Sequence, residues 1–231
     1  MTNIREPQIE LPDFINLDGQ KIPPPGRINY EEFLDWADED THAEWVDGEV
    51  LMTSPASYRH QAIKGFLESS LLIFTQTFDL GIVLSAGFQM KLPSTGREPD
   101  VLFVSKARSK NIKKTFLKGP ADLVVEIVSP ESVERDNETK YAEYAEGGVP
   151  EYWLIDPLEE KASFYQLDKS KQYHKVEPDS TGKYYSKVVS NFWLKVEWLW
   201  QQPLPEVAEV LLEVGGETYQ NYLLQKINKK R

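Results

Sequence analysis

LVVEIVSP, residues 123–130, places one carboxylate, Glu126, inside an apolar run that ends at Ser129-Pro130. Such a run is typical of a buried strand, and the alternation of side chains along a strand puts Val124, Glu126 and Val128 on one face. An unpaired buried charge is costly, so such a group is normally paired, bound to a metal or protonated. The fold around this stretch must therefore supply a partner for Glu126.

A second carboxylate, Asp100, stands at the head of another apolar run in GREPDVLFVS, residues 96–105. Two carboxylates that meet on neighbouring strands repel each other unless a cation lies between them. Mg²⁺ suits this place, because it takes hard oxygen ligands and often needs one or two protein carboxylates. A single Asp at a strand start is also typical of a turn or cap, and a single Glu in a strand is also typical of a salt bridge.

Lys140 lies on a predicted helix, about residues 133–146, that follows the Glu126 strand and ends at Gly147-Gly148. A lysine here could position the attacking water and counter negative charge on a phosphate, or it could form a structural ion pair with Glu126. Tyr144, four residues on, shares its helix face. We expect Asp136 and Tyr144, which flank the lysine, to orient it.

The remaining patterns predict a mixed order of helices and strands. Five of the 15 prolines lie in residues 1–27, which predicts an extended arm before a single domain at 28–231. Asn29 and Glu32 form a candidate capping box for a short helix to about Asp38. Asp47-Gly48 predicts a type I′ hairpin. Other predicted elements are a helix from Tyr58 to about Asp79, strands near 82–91, 99–104, 121–128 and 150–156, short antiparallel strands, and one or two C-terminal helices.

Charge and composition limit the classes of function. The net charge is -11, which argues against tight non-specific binding to DNA. KARSKNIKKTFLKG, residues 106–119, nevertheless carries six Lys or Arg and no acid, so it is either a solvated surface loop or a loop that contacts phosphate or a partner. The absence of cysteine excludes disulfides and thiolate metal sites. With no long apolar run and no signal-peptide pattern, we expect a cytoplasmic protein with no membrane span.

Four segments carry a resemblance to a known family: AEWVDGEVL, EPDVLFVS, ADLVVEIVSPES and RDNETKYAEYAEGGVPEYWLIDP. They resemble the Uma2 family, formerly DUF820, of the PD-(D/E)XK nuclease superfamily, over about Tyr30 to Asp156. The resemblance implies an α/β (mixed α+β) fold with a restriction-endonuclease-like core, in which helices flank a mixed central sheet. Extra antiparallel strands are expected toward the C-terminus.

The resemblance also implies roles for individual residues. Pro99-Asp100 is similar to the superfamily's PD, and Glu126 stands at its D/E position. Val128 occupies the position where the superfamily's lysine usually lies, and Lys140 on the following helix is expected to replace it. Glu44 matches the family's N-terminal acidic position, which implies a further metal or water contact; an exposed hairpin glutamate is the alternative.

Further expectations concern side chains near these positions. His60 matches a family histidine that could donate a hydrogen bond near a phosphate, or it could cap or pack its helix. Gln89 would be a polar group near the site if its side chain faces that way. Trp153, with Tyr152, is expected in the core.

These expectations define two candidate functions. The first is an endonuclease dependent on Mg²⁺ or Mn²⁺ that hydrolyses phosphodiester bonds in nucleic acid, with DNA as the expected substrate, Asp100 and Glu126 as metal ligands, and Lys140 and Glu44 completing the catalytic set. The alternative is a catalytically inactive protein of the same fold that binds or oligomerises. In either case the proline-rich arm and the aromatic run NFWLKVEWLW, residues 191–200, predict a homodimer contact.

Overall fold

The computed structural model describes residues 22–38, 41–52 and 56–228. The chain divides into two compact units, residues 1–53 and 54–231, and each is described by itself. Residues 1–21 of the predicted arm lie outside the described residues, and residues 22–27 form no helix or strand. The prediction of a single domain at 28–231 stays a prediction.

The first unit contains a capped helix and a hairpin, α1 (Tyr30–Trp36), β1 (Ala43–Val46) and β2 (Glu49–Met52). The predicted capping box is present: the Asn29 side chain accepts the Glu32 N–H at 2.9 Å, and the Glu32 carboxylate accepts the Asn29 N–H at 2.7 Å. In the hairpin, Asp47 and Gly48 both have positive φ, +46° and +90°, as a type I′ turn requires.

The second unit holds three further helices and eleven strands among the described residues. The helices are α2 (Tyr58–Thr77), α3 (Lys140–Gly147) and α4 (Val207–Asn228). The strands are β3 (Gly81–Ser85), β4 (Gln89–Lys91), β5 (Thr95–Arg97), β6 (Val101–Ser105), β7 (Phe116–Lys118), β8 (Leu123–Ile127), β9 (Glu151–Asp156), β10 (Lys161–Leu167), β11 (Tyr173–Lys175), β12 (Lys183–Tyr185) and β13 (Trp193–Lys195). Within the parts that are described, no helix has the length and apolarity needed to cross a membrane.

The main sheet has six strands in the order β11-β10-β9-β8-β6-β3. It is mixed, as predicted, because β8 and β9 are parallel while the other neighbours are antiparallel. A parallel pair needs a crossover, and α3 provides it between β8 and β9. Strands β5, β4 and β7 lie side by side in that order, and β12 and β13 form a separate pair.

Two apolar clusters cover the two faces of the main sheet. On one face, α2 and α4 pack with β12 and β13 against Val125, Ile127 and Trp153. On the other, α3 packs with β4 and β7 against Val124, Val128 and other residues of the sheet. Glu126 belongs to the α3 face by alternation, as predicted, and Trp153 is in the core, as predicted.

Several predicted boundaries were wrong. The expected strand at 82–91 is two strands, β3 and β4, because a turn with Gly87 at φ +93° separates them. β5 was not predicted, and the basic stretch is not a loop throughout, since it contains a 3₁₀ turn (Lys106–Asn111) and β7. The helix predicted at about 133–146 is present and contains a π-helical turn (Arg135–Thr139), and α4 consists of two helical segments joined by a kink at Gly216, whose φ is +51°, in agreement with the predicted one or two C-terminal helices.

The aromatic run at 191–200 does not form the exposed surface that was expected. Phe192 and Trp198 are buried, while Trp193 and Trp200 are half-buried. The ring of Phe192 packs edge-on against Phe74 of α2, with 5.1 Å between the centroids. The run therefore belongs to the core, and the homodimer contact stays a prediction.

One buried carboxylate ties β9 to the segment between β12 and β13. Glu151 is fully buried, and its Oε1 accepts hydrogen bonds from Trp153 Nε1 at 2.7 Å and the Tyr184 hydroxyl at 2.9 Å. Its Oε2 accepts from the N–H groups of Lys187 and Val188 at 2.8 and 3.0 Å and from the Ser186 hydroxyl at 3.2 Å. Burial raises the pKa of Glu151 above its usual 4.5, although these hydrogen bonds oppose that shift.

The change Glu151→Gln should lower the free energy of unfolding by about 3 kcal/mol, because an amide NH₂ cannot accept the hydrogen bonds that one carboxylate oxygen now accepts. Urea denaturation measures this loss. Glu159→Gln, at an exposed position in the turn after β9, is the matched control and should change the free energy by less than about 0.5 kcal/mol. Equal midpoints for the two variants would contradict the role of Glu151.

Candidate active site

Asp100 and Glu126 stand opposite each other at one end of the main sheet. The last register pair of β6 and β8 at this end is Val101 with Val125, and the next residues outward on the two strands are Asp100 and Glu126. Residues opposed in antiparallel strands have Cα atoms about 4.5–5.5 Å apart. The fold therefore places the two residues that the sequence singled out opposite each other on neighbouring strands.

Asp100 is held by a backbone amide and a histidine. Its Oδ2 accepts the Ile127 N–H at 2.8 Å and lies 3.3 Å from Nε2 of His60. His60 is buried in the first turn of α2, where Ser57 caps the helix and accepts the His60 N–H at 3.2 Å. The imidazole of His60 therefore contacts Asp100, while the backbone N–H of His60 donates to the Ser57 cap.

The environment of His60 favours the protonated imidazole. Burial lowers the pKa of His60, but the hydrogen bond and charge of Asp100, with a contribution from the Ile127 carbonyl, outweigh it and raise the pKa above 6.5. Asp100 and His60 therefore form a pair whose attraction strengthens when the histidine is protonated.

Glu126 is paired on the opposite side, by α3. Its Oε1 accepts the Tyr144 hydroxyl at 2.5 Å, and its Oε2 lies 3.0 Å from Nζ of Lys140. The same Nζ lies 3.3 Å from Oδ1 of Asp136. Glu126 and Lys140 are 3% and 4% exposed, so solvent has little access to this network. Asp136 contacts Lys140 directly and Tyr144 contacts Glu126, and their role in orienting the lysine stays a prediction.

Val128 shows why a lysine on the following helix can take the place of one on the strand. Val128 is buried in the apolar cluster on the α3 face, two residues beyond Glu126. Lys140 is the first residue of α3, and from there its amine reaches the Glu126 carboxylate. The departure from the superfamily pattern at position 128 therefore leaves a lysine beside the acidic residue.

The charges of this network also act on a neighbouring tyrosine. Tyr152 on β9 donates its hydroxyl to the Asp136 carbonyl at 3.0 Å. Burial raises the pKa of Tyr152 well above 10, and the charges of Glu126 and Asp136 raise it further. Tyr152 consequently stays a neutral hydrogen-bond donor that fixes the turn before α3.

An ion pair that the sequence did not suggest joins α3 to β5. Arg97 on β5 is buried, and its Nε and Nη2 contact the two carboxylate oxygens of Glu143 at 2.8 and 2.7 Å. Bidentate pairing of this kind fixes orientation as well as charge. The sequence did show that Glu143 lies three residues after Lys140 on the same helix. It could not show that Arg97 is the partner of Glu143, because the two are distant in sequence.

Two other predicted site residues, Gln89 and Glu44, are buried. Gln89 is buried on β4 and donates its amide to Oε1 of Glu98, two residues before Asp100, at 3.3 Å. Glu44 lies on β1 in the first unit and is buried, so the alternative of an exposed hairpin glutamate was wrong. Its predicted contact with a metal or water stays a prediction.

Comparisons with known proteins agree with this geometry. The model of the Uma2 family, described as "Putative restriction endonuclease", matches residues 30–197. The chain belongs to the Uma2 family. Among solved structures, it is similar to "a putative nuclease belonging to DUF820" from Anabaena variabilis, with a TM-score of 0.63 and 18% identity over 74% of this chain and 97% of that one. Comparison with curated proteins gives no match. Family membership supports a nuclease function in general terms, and the structural likeness shows the restriction-endonuclease-like fold.

Removing the amine of Lys140 should strongly destabilise the protein. Lys140→Met leaves the buried carboxylate of Glu126 without its cation, so we expect the free energy of unfolding to fall by about 3–5 kcal/mol. Chemical denaturation of the metal-free protein checks this value. Lys161→Met, at an exposed lysine on β10, is the control and should behave like the wild type. A Lys140→Met protein as stable as the control would show that the pair is not a structural one.

The raised pKa of His60 predicts a pH-dependent contribution to stability. Because the folded-state pKa lies above 6.5, protonated His60 stabilises the fold, fully below pH 6.5 and progressively less as the pH rises through the raised pKa. The difference in free energy of unfolding between wild type and His60→Gln should therefore shrink as the pH rises. In an Asp100→Asn background the same difference should lose this dependence on pH; if it kept the dependence, another group would be responsible.

Proposed function

We propose that this protein is a Mg²⁺-dependent endonuclease that hydrolyses phosphodiester bonds in nucleic acid, with Mn²⁺ as an alternative ion. The observation that carries the proposal is the opposition of Asp100 and Glu126 at the ends of β6 and β8, with Lys140 in contact with Glu126. Membership of a family of nuclease-like proteins supports the same conclusion.

Asp100 and Glu126 offer carboxylate oxygens, the ligands that Mg²⁺ prefers. Within residues 22–38, 41–52 and 56–228, no three His, Asp or Glu side chains form a ready metal cluster. Magnesium does not need one, because it commonly binds through one or two carboxylates and keeps several waters. Both described contacts of Asp100 go to Oδ2, which leaves Oδ1 for another ligand. Asp100 therefore fits through Oδ1, whereas Glu126 would bind through an oxygen that also contacts Lys140 or Tyr144; these are the two residues that would hold the ion.

When bound, the cation would supply Lewis-acid polarisation of the phosphate and would lower the pKa of water. The chain's own residues provide the rest of the site. Lys140 holds Glu126 in one orientation and places a positive charge at the carboxylate. Tyr144 fixes the second oxygen of Glu126, and His60 fixes Asp100. Such preorganised groups lower the barrier because they need no rearrangement during the reaction.

Cleavage assays with matched variants test the proposal. Plasmid and single-stranded DNA are incubated with wild type, Asp100→Asn and Asp35→Asn in Mg²⁺, in Mn²⁺ and in EDTA. Asp35 is an exposed residue of α1, so its change tests for effects unrelated to the site. We expect Asp100→Asn and EDTA each to reduce the rate by about 100-fold or more, with Asp35→Asn unchanged. Equal cleavage by all three proteins would mean that a contaminating nuclease is being measured.

One observation favours the second candidate, a catalytically inactive protein that binds or oligomerises. Glu126 is already paired with Lys140 and Tyr144 through both of its oxygens, as a purely structural carboxylate would be. Titration calorimetry with Mn²⁺ separates the two candidates. Binding at millimolar Mn²⁺ that disappears in Asp100→Asn supports the nuclease. No binding, together with a loss of stability in Glu126→Gln, supports the inactive protein.

A further inference from the structure

The basic stretch contains two kinds of cation. Near its start, Lys106 pairs with Asp79, and Arg108 contacts Asp122 at 3.1 Å. Lys110, Lys113 and Lys114, by contrast, are exposed and form no ion pair with any acidic side chain in the described parts of the chain. We call residues 110–114 the basic turn. These three lysines are exposed in a protein whose net charge is -11, and Nζ of Lys113 donates a hydrogen bond to the Lys110 carbonyl at 3.0 Å.

The basic turn is held in place by its neighbours. The Lys113 N–H donates to the Phe116 carbonyl at 2.8 Å, and Ile112 forms a bridge with Leu117, which is fully buried in the core. Upstream, Nη2 of Arg108 donates to the Pro120 carbonyl at 2.5 Å. The lysines therefore project from a fixed backbone, so a partner would bind them without first having to order the turn.

Strand register places the basic turn at the end of its own sheet from which the chain leaves β5 toward Asp100. β7 begins at Phe116, which is level with Gln89 on β4. The β4–β5 pairing runs through Met90 with Arg97, so Gln89 is level with Glu98, two residues before Asp100. Because β7 and β5 are two strand spacings apart, the turn lies about 10 Å to the side of the segment that leads to Asp100. Asp100 itself lies two residues beyond that level, so at a rise of about 3.4 Å the turn would meet the same strand of a duplex several nucleotides away.

We propose that the basic turn binds the phosphate backbone of nucleic acid a few nucleotides from the bond at the Asp100–Glu126 site. This inference deepens the proposed nuclease function and rests on it for the choice of nucleic acid as the polyanion. The chain as a whole is acidic, so a substrate needs a local set of unpaired cations in order to approach. Lysines that contact phosphates supply affinity without reading sequence, which matches three flexible side chains with no planar recognition group.

The test compares two triple variants that remove the same charge. One is Lys110→Gln, Lys113→Gln and Lys114→Gln; the control is Lys161→Gln, Lys169→Gln and Lys175→Gln, at exposed positions on and between β10 and β11. Fluorescence anisotropy measures the affinity of full-length protein for a labelled DNA duplex and a single strand in EDTA, over a range of salt concentrations. Circular dichroism and urea unfolding establish that both variants are folded.

We expect the basic-turn variant to bind duplex at least 10-fold more weakly than wild type, with the slope of log K against log salt reduced by about 2 to 3. The control should stay within about two-fold of wild type. Equal weakening in both variants would mean that only net charge matters and would overturn the inference. Failure of wild type to bind DNA at low salt, or binding of anionic lipid vesicles in its place, would overturn it as well.

The outcome for the basic turn can be separated from the outcome for catalysis. Cleavage in Mg²⁺ is followed for the same proteins. If wild type cleaves and the basic-turn variant binds and cleaves equally well, the inference fails while the nuclease function stands. If DNA binding depends on the basic turn but no protein cleaves, the inference stands while the nuclease function fails.

Discussion

The structure depends on how one buried negative charge, that of Glu126, is neutralised. A carboxylate among valines at 3% exposure is tolerated because the Lys140 amine and the Tyr144 hydroxyl contact its two oxygens. Both partners lie on α3, four residues apart, and therefore on the same face of the helix. The pairing fixes the rotation of α3 and the height of its first turn over β8. The crossover from β8 to β9 is consequently set by an ionic requirement as well as by apolar packing.

The two carboxylates at this end of the sheet are secured from opposite layers. Asp100 is tied to α2 through His60, and Glu126 is tied to α3 through Lys140. Arg97 then locks α3 to β5, on the segment that leads directly into Asp100. A displacement of either helix would change the separation of the carboxylates. The apolar core on both faces of the sheet therefore contributes to the geometry of the site.

The sequence predicted features whose cause is local and missed those whose partner is distant. Alternation in LVVEIVSP assigned Glu126 to its face, and Asp47-Gly48 placed a hairpin, because period and turn chemistry are visible within a few residues. β5 and β7 have three residues each, too few to show a period, and they form because β4 pairs with both. The aromatic run at 191–200 resembled a surface patch because the helix that it packs against lies more than a hundred residues earlier. Four of the five donors to Glu151 likewise come from residues 184–188.

The same division applies to the candidate site. Asp100, Glu126 and Lys140 could be singled out because a charge in or beside an apolar strand is unusual, and the family resemblance assigned them roles. The pairing of Asp100 with His60, and of Arg97 with Glu143, could not be predicted, because register between distant strands and helices decides both. Pairing of β4 with both β5 and β7 likewise sets the basic turn beside the segment that leads to Asp100, which the sequence alone did not indicate.

The balance of charge at the site explains why the basic turn and a cation would be needed together. Asp100, Glu126 and Asp136 carry three negative charges, and Lys140 with Arg135, whose Nε is 3.8 Å from Asp136, carries two positive ones. Protonated His60, which its contact with Asp100 favours, brings the sum to zero, so the site by itself offers a phosphate no net attraction. A divalent ion would make the site positive locally, where the scissile phosphate must sit. It would do little for the flanking phosphates, because screening limits its reach to about 10 Å. Attraction for those phosphates has to come from cations outside the site, and the basic turn offers exposed lysines beside the segment that leads to Asp100.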